Sequence, residues 1–324
     1  MYRLDTLLYR TAKRQEGQTN VTALLEATHL NKAFGATRAL DGFDLDVAAG
    51  EIVGLVGHNV AGKTTFARAT AGLATLDGGR VRIAGEDVAH HARRVRPLLG
   101  LAPQELALYP TVTARENLLV FAGLYGIARR DAARRIDELA ERLVLADVLD
   151  RRTRMLSGGQ QRRLQAATAM IHRPRVLLLD EPTVGADPIT RDALLAVVRA
   201  AADEGAAVVY TTHYLPELDT LDATLAVADH GRIVARGDRA RLLASVPGHA
   251  VVVFDGPPPA LSVPVTLSGA EIAVRDASVR ITAPDPAGVL VPWLAAHPDA
   301  ARHLRSIELH PPTLDDLYRH LVAA

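Results

Sequence analysis

The stretch Gly57-His58-Asn59-Val60-Ala61-Gly62-Lys63-Thr64 constrains this chain more than any other. A Gly-x4-Gly-Lys-Thr run turns its backbone N–H groups inward around phosphates and leads into a helix N-terminus, so it needs a buried strand before it and a helix after it. Both neighbours are present, since Glu51 to Val56 reads as a buried strand and Lys63 to Ala71 as a helix. The candidate phosphate ligands are therefore Gly57, Asn59, Val60, Ala61, Gly62, Lys63, Thr64 and Thr65. Lys63 is placed to reach the terminal phosphates of a nucleotide and Thr64 to reach Mg²⁺.

Strands and helices alternate around this loop, which argues for an α/β fold with a mostly parallel sheet. Before it, Leu24 to Ala27, Arg38 to Leu40 and the alternating Phe43 to Val47 read as short strands of an antiparallel edge sheet. After it, Arg80 to Ile83 and Leu98 to Ala102 read as strands, and helical periodicity dominates from Ala114 to Leu149. Strand Val176 to Leu179, a helix from about Thr190 to Ala202, strand Ala207 to Thr211 and a strand pair around Leu225 to Val234 complete the pattern. Beyond Ala244 the composition turns to Val/Pro/Gly-rich alternation, so a small α+β domain is expected there. Its last segment, Thr313 to Leu321, reads as a helix capped by Thr313 with Leu314, Leu317, Tyr318 and Leu321 on one apolar face. The expected organisation is a flexible extension over 1–23, the main domain over 24–244 with a helical subdomain at about 105–165, and the accessory domain over 245–324.

Four further elements carry chemistry. In Arg175-Val176-Leu177-Leu178-Leu179-Asp180-Glu181 an apolar strand delivers two carboxylates to a sheet edge, Asp180 to help hold Mg²⁺ and Glu181 to polarise an attacking water. Thr211-Thr212-His213 ends the next strand with a histidine able to hydrogen-bond a γ-phosphate. Gln104, in Leu101-Ala102-Pro103-Gln104, offers a side-chain carbonyl to Mg²⁺ and the water. Phe34 lies on the edge sheet, where an aromatic can stack on adenine.

Leu156-Ser157-Gly158-Gly159-Gln160, 94 positions after Lys63 (157 minus 63), resembles the signature of ATP-binding-cassette (ABC) ATPases, and from Leu24 to Ala244 all these elements follow that family's order. By that resemblance Ser157, Gly158, Gly159 and Gln160 are the signature, Asp187 the aspartate of the loop that follows Glu181, and Glu181, His213 and Gln104 the catalytic set. Thr64, Gln104 and Asp180 are then the Mg²⁺ set, and ATP is the nucleotide. The resemblance implies a head-to-tail dimer, favoured as a homodimer, in which Ser157 and Gly159 of one cassette contact the γ-phosphate held by Lys63 of the other. It also implies a transmembrane permease partner and a cytoplasmic location on the inner face of the membrane. The permease is expected to dock along Glu105 to Asn117, with Tyr109 as an exposed aromatic anchor.

Composition supports these assignments by exclusion. Charge is balanced at 37 basic against 37 acidic residues, so nothing draws the chain globally to nucleic acid. There is no cysteine, which removes disulfide and thiolate chemistry. Apolar runs such as Val176 to Leu179 are far short of the roughly 18–20 residues that cross a bilayer. The spacing between Lys63 and the signature leaves no room for the long coiled coil of chromosome-organising relatives, and one cassette without a charged linker argues against translation factors. The segment Thr211 to Glu217 and the ending Pro312 to Leu317 resemble the exporter branch, which handles drugs, antibiotics or cell-surface polysaccharides, more than importers.

Two positions depart from the family pattern. Ala186 stands where leucine is commoner, and Val60 stands where the loop usually has glycine. A β-branched residue held at positive φ costs about 1–3 kcal/mol, which raises the alternative of a regulatory subunit with impaired hydrolysis. Val60→Gly is expected to raise nucleotide affinity or turnover while leaving the fold intact. Steady-state ATPase rates and nucleotide titrations of the two chains check this, and equal values refute it.

Overall fold

The computed structural model describes residues 23–58, 61–244, 246–256, 270–296, 302–313, 316–317 and 319–320. Two compact units divide at Gly237 and Asp238, ahead of the 244/245 boundary expected from composition. The 1–22 extension lies outside the described residues.

The first unit opens with a long hairpin, β1 (Ala23–Phe34) and β2 (Thr37–Ala48), followed by the short buried strand β3 (Ile52–Val56). The helix Lys63–Thr70 then leads to β4 (Gly78–Ile83), β5 (Glu86–Asp87) and β6 (Leu99–Ala102). Strands β2, β1, β4 and β5 form a four-stranded antiparallel sheet in that order. Arg38–Leu40 and Phe43–Val47 prove to be one strand, because Asp41-Gly42 is a bulge rather than a turn. Gly42 takes φ +73° there, and its N–H donates to the Asn31 side chain at 3.0 Å in place of a ladder bond.

The second sheet holds the chemistry. Its order is β10-β9-β3-β8-β7-β6, built from β7 (Val176–Asp180), β8 (Ala207–Thr211), β9 (Thr224–Asp229) and β10 (Arg232–Gly237). All its pairings are parallel except β9 with β10. Every residue of β3, β7 and β8 is buried, as parallel strands covered on both faces require. Phe66, on the helix after β3, stacks on Phe43 of β2 at 4.9 Å, so the antiparallel sheet is sealed onto the phosphate-loop helix by apolar contact.

The expected helical region consists of helices Ala114–Leu124 and Arg129–Arg142 with short turns at Ala146–Val148 and Thr153–Met155. Thr113 and Glu116 form a reciprocal capping box that starts the first helix. Buried Asn117 accepts the Tyr109 N–H at 2.9 Å and donates to the Tyr109 carbonyl at 3.0 Å and to Thr153 Oγ1 at 2.8 Å. That clasp fixes the backbone of Tyr109 and leaves its ring half-exposed. The helix Gly158–Met170 follows the signature, and the helix Pro188–Asp203 joins β7 to β8.

The second unit is an antiparallel sheet ordered β12-β13-β11-β14, from β11 (Gly248–Phe254), β12 (Glu271–Arg275), β13 (Ser278–Ala283) and β14 (Leu304–His310). The helix Pro286–Ala296 supplies Leu290 and Trp293 to a core with Val252, Phe254 and Ile281. At the chain end Thr313 and Asp316 exchange cap bonds and Leu317 is buried, while Leu314, Asp315, Tyr318 and Leu321 lie outside the described residues.

His172, just beyond the signature helix, stacks on Tyr125 at 3.6 Å, and its Nε2 lies 3.1 Å from the Leu99 carbonyl oxygen. Burial pushes its pKa down from 6.5 to about 4. The unfolded chain therefore binds the extra proton first, and stability present at neutral pH is lost as pH falls from 6.5 toward 4. His172→Gln removes that titration. Urea denaturation at pH 7 and pH 5 should show the variant losing about 1–2 kcal/mol less than the wild type, the partly exposed ring being screened by water.

Candidate functional site

The phosphate loop is built on two glycines that no other residue can replace. Gly57 takes φ +156° and a Cβ there would run into the Ala228 carbonyl, while Gly62 takes φ +94° and a Cβ would run into the Ala39 carbonyl. Gly62 caps the helix Lys63–Thr70 without any side-chain cap, and no acidic residue occupies the first turn. The first-turn N–H groups are thus left for an anion. Asn59 and Val60 lie outside the described residues, so their expected contacts are not part of this geometry.

Lys63 folds back over the loop and donates to the Gly57 carbonyl at 2.5 Å and the His58 carbonyl at 3.2 Å. Burial lowers its pKa, with Asp180 and Glu181 pulling in the opposite direction. A cleft of about 390 Å³ is lined by Ala61, Gly62, Lys63, Thr64, Thr65, Gln104, Asp180 and Glu181 among others. A neighbouring cleft shares Thr64 and Thr65 and is bordered by Phe34, whose ring is 57% exposed and lies under the Lys32 ammonium at 5.4 Å. Thr64 and Thr65 thus border both the cleft that holds the carboxylates and the one with the open aromatic face.

The ends of β7 and β8 hold the acidic pair. Asp180 is buried, accepting from Thr64 Oγ1 at 3.2 Å and from Thr211 Oγ1 at 2.5 Å. The Thr211 hydroxyl also accepts the Glu181 N–H at 3.0 Å, which the Thr211 carbonyl shares at 3.1 Å. Glu181 sits at φ +50°, a strained position for a residue with a side chain. That turn aims its carboxylate into the cleft, where it accepts from Gln104 Nε2 at 3.3 Å and stands 3.6 Å from His213 Nδ1. Gln104, Glu181 and His213 therefore meet at one point. Thr64, Asp180 and the Gln104 carbonyl offer the hard oxygen donors that suit Mg²⁺. Among the described residues no group of three or more His, Asp or Glu forms a protein-only metal cage, so a cation here needs oxygens from a ligand.

Ser157 to Gln160 stand apart from this cleft. Ser157 caps the helix Gly158–Met170 in a capping box, accepting the Gln160 N–H at 3.2 Å while its own N–H donates to Gln160 Oε1 at 2.9 Å. Its hydroxyl proton and the first-turn N–H groups of Gly158 and Gly159 remain as donors, and Ser157 and Gly158 are exposed. Asp187 caps the helix Pro188–Asp203 by accepting from the Thr190 N–H at 3.1 Å and hydroxyl at 2.7 Å, and those bonds lower its pKa, the hydroxyl contributing most.

Three positioning residues escaped the motif reading. Thr211 orients both carboxylates. Gln165 and Arg162, on the signature helix, grip the Gln104 loop: Gln165 accepts the Ala107 N–H at 2.7 Å and donates to the Pro103 carbonyl, and Arg162 donates to the Gln104 carbonyl. A threonine in a strand and polar residues on a helix carry no distinctive pattern, so only the spacing of Arg162 and Gln165 by one helical turn hinted at a common face.

Comparison with known proteins places the chain in a family. A family model described as ABC transporter matches residues 40–184. A daunorubicin resistance ATP-binding protein of Streptomyces coeruleorubidus is 38% identical over 303 residues, covering 92% of this chain and 94% of that protein. A Nod factor export ATP-binding protein of Paraburkholderia xenovorans is 38% identical over 237 residues, covering 73% of this chain and 78% of that protein. The solved structure of an ATP binding subunit of an ABC transporter superposes with a TM-score of 0.64 at 27% identity, over 68% of this chain and 91% of that one.

The geometry separates binding from chemistry. Glu181→Gln keeps the shape of the cleft and the Lys63 contacts but removes the carboxylate, so if Glu181 is the expected base, nucleotide affinity should stay within about twofold while turnover falls about 10²–10⁴-fold. Lys63→Ala should instead abolish binding. Fluorescent-nucleotide titration alongside phosphate release distinguishes the two.

Proposed function

Because the chain belongs to the ABC transporter family, we propose that it is the ATP-hydrolysing subunit of an exporter that moves a drug, an antibiotic or a cell-surface polysaccharide or lipid. The observation that carries this reading is the split site. Lys63, Asp180 and Glu181 line one cleft with His213 3.6 Å from Glu181, while a second set of anion donors, at Ser157 and Gly158, is exposed elsewhere on the same unit. A second copy, head to tail, supplies the missing half to each.

In this reading the Lys63 ammonium and the loop N–H groups hold the β- and γ-phosphates, and Phe34 covers adenine. Thr64, Asp180 and Gln104 would hold Mg²⁺, which would supply neutralisation of the charge that develops on the phosphates. Glu181 takes the proton of a water whose oxygen forms a bond to the γ-phosphorus as the bond to the ADP oxygen breaks. His213 and the partner's signature donors steady the γ-phosphate oxygens. Gln104 connects the cleft to the 105–117 segment, where the half-exposed Tyr109 ring is offered to a transmembrane permease. In this reading the transport path belongs to that partner, and among the described residues no helix is long and apolar enough to cross a membrane. Membrane attachment through the permease and a position on the cytoplasmic face follow from the same reading. The exporter assignment rests on relatives named for daunorubicin resistance and Nod factor export.

A mixing experiment tests the shared site. Lys63→Ala leaves an intact signature and Ser157→Arg leaves an intact cradle, so each pure variant is inactive. An equimolar mixture should regain up to about a quarter of the wild-type ATPase rate, since half the dimers are mixed and each has one sound site. No recovery in a mixture whose members both remain folded refutes the shared site. Alanine at Tyr109 should lower permease-stimulated but not basal turnover.

A further inference from the structure

Behind the cleft, a charged knot is buried where the loop after Glu181 meets the loop after β8. Glu217, on the short helix Pro216–Thr220, is 1% exposed. Its Oε2 accepts the Tyr210 phenol proton at 3.0 Å, and its Oε1 lies 3.2 Å from Arg191 Nε. Tyr210, itself fully buried on β8, is kept protonated, burial and the Glu217 charge both raising its pKa. With that proton committed to Glu217, the Thr183 hydroxyl at 3.5 Å is the donor to the phenol oxygen.

Arg191 belongs to both loops. From the first turn of the helix Pro188–Asp203 its Nη2 donates to the Ala186 carbonyl at 3.3 Å, and its guanidinium lies over the Tyr214 ring at 4.6 Å. Tyr214 follows His213 directly, and the Tyr214 carbonyl accepts the Glu217 N–H at 3.2 Å. One guanidinium therefore touches the residue before Asp187, the residue after His213 and the carboxylate that closes the His213 loop. His213 itself is held by little else, its imidazole being largely exposed with Glu181 as its recorded side-chain partner at 3.6 Å.

Glu217 is buried and Arg191 three-quarters shielded, so bringing the carboxylate and guanidinium together carries a desolvation cost. Here the Nε and Oε1 atoms, though 3.2 Å apart, are not aligned for a hydrogen bond, and neither has another aligned partner. Segment 184–187 lies on the surface beside the signature, with Val184 and Ile189 exposed and the Gly185 carbonyl 3.3 Å from where a Cβ on Gly159 would stand.

We propose that Arg191 and Glu217 are a positioning pair that couples the 183–187 segment to the His213 loop, so that seating of a second copy against Val184 to Asp187 sets the place of His213 over the γ-phosphate. The proposal rests on the dimeric ATPase reading above and adds residues that touch neither nucleotide nor partner. It assigns them a role in timing hydrolysis, not in binding.

Glu217→Gln preserves shape and the acceptor for Tyr210 but removes the charge that pairs with Arg191. Arg191→Lys, at a site a quarter exposed, keeps the charge but cannot reach Ala186, Tyr214 and Glu217 together. Both variants are to be measured for nucleotide affinity, kcat, KM, the Hill coefficient for ATP and thermal midpoint. The expected result is affinity within twofold of wild type, kcat reduced tenfold or more, and a Hill coefficient lowered toward one. The double variant should be no worse than the poorer single one. If a folded variant keeps wild-type kcat and cooperativity, or if kcat falls only in step with affinity, the coupling role is overturned. Should Glu217→Gln fail to fold, Arg191→Lys alone decides between these outcomes. A wild-type chain without ATPase activity would overturn the dimeric ATPase reading as well, whereas an active wild type matched by its variants overturns the coupling alone.

Discussion

The carboxylate of Asp180 is the contact on which the rest of the cleft depends. It ends an apolar parallel strand, is almost wholly buried, and is held by hydroxyls from two other elements, Thr64 at the start of the phosphate-loop helix and Thr211 at the end of β8. A buried carboxylate without donors is heavily penalised, so both hydroxyls are required wherever Asp180 is kept charged. That requirement aligns the ends of β7 and β8 with the loop, and the cleft forms where the three meet. The antiparallel sheet contributes by sealing the same helix from its other side through Phe43 and Phe66.

A site assembled this way cannot finish its own task. In the proposed reading the loop N–H groups and Lys63 serve one end of a triphosphate, while Ser157 and Gly158 are exposed at the start of a helix whose cap bonds are already made within the chain. Their remaining N–H and O–H groups are aimed at solvent, where water satisfies them at no gain. In the proposed dimer, an anion presented by a second copy is the ligand that would match them. The grip of Gln165 and Arg162 on the Gln104 loop then has a plain consequence: the signature helix cannot move toward another copy without carrying the backbone around Gln104 with it.

Much of this was legible in the sequence because each element combined a strand or helix pattern with an unusual residue at its end. Lys63 after two obligate glycines, two carboxylates closing an apolar strand, and Ser-Gly-Gly-Gln opening a helix are patterns that packing alone does not produce. Phe34 was legible by position, and the structure puts its ring at an open cleft edge beside Thr64 and Thr65. What stayed hidden had no such contrast. Thr211 is an ordinary strand residue, Tyr210 drew no reading, and Glu217 entered only as the end of the segment that resembles exporters. The second unit was read in part: β11 and β13 alternate clearly, but Pro292 inside the helix Pro286–Ala296 argues against a helix, and β14 is too exposed to show a buried face. The break in β2 was a misreading of a bulge as a turn, since Asp-Gly signals both.

The backbone at Glu181 shows how tightly geometry and chemistry are joined. A residue with a side chain at φ +50° costs about 1 kcal/mol or more relative to an extended one. Glycine would remove that cost and the carboxylate with it. The strain is held because the Glu181 N–H is shared between the carbonyl and the hydroxyl of Thr211, the same hydroxyl that donates to Asp180. A single side chain thus orients the carboxylate on the cation side of the cleft and the backbone that aims the carboxylate on the water side. Loss of that hydroxyl would free Glu181 to relax and leave Asp180 one donor short, so binding and hydrolysis, separable at Glu181 itself, would fail together at Thr211.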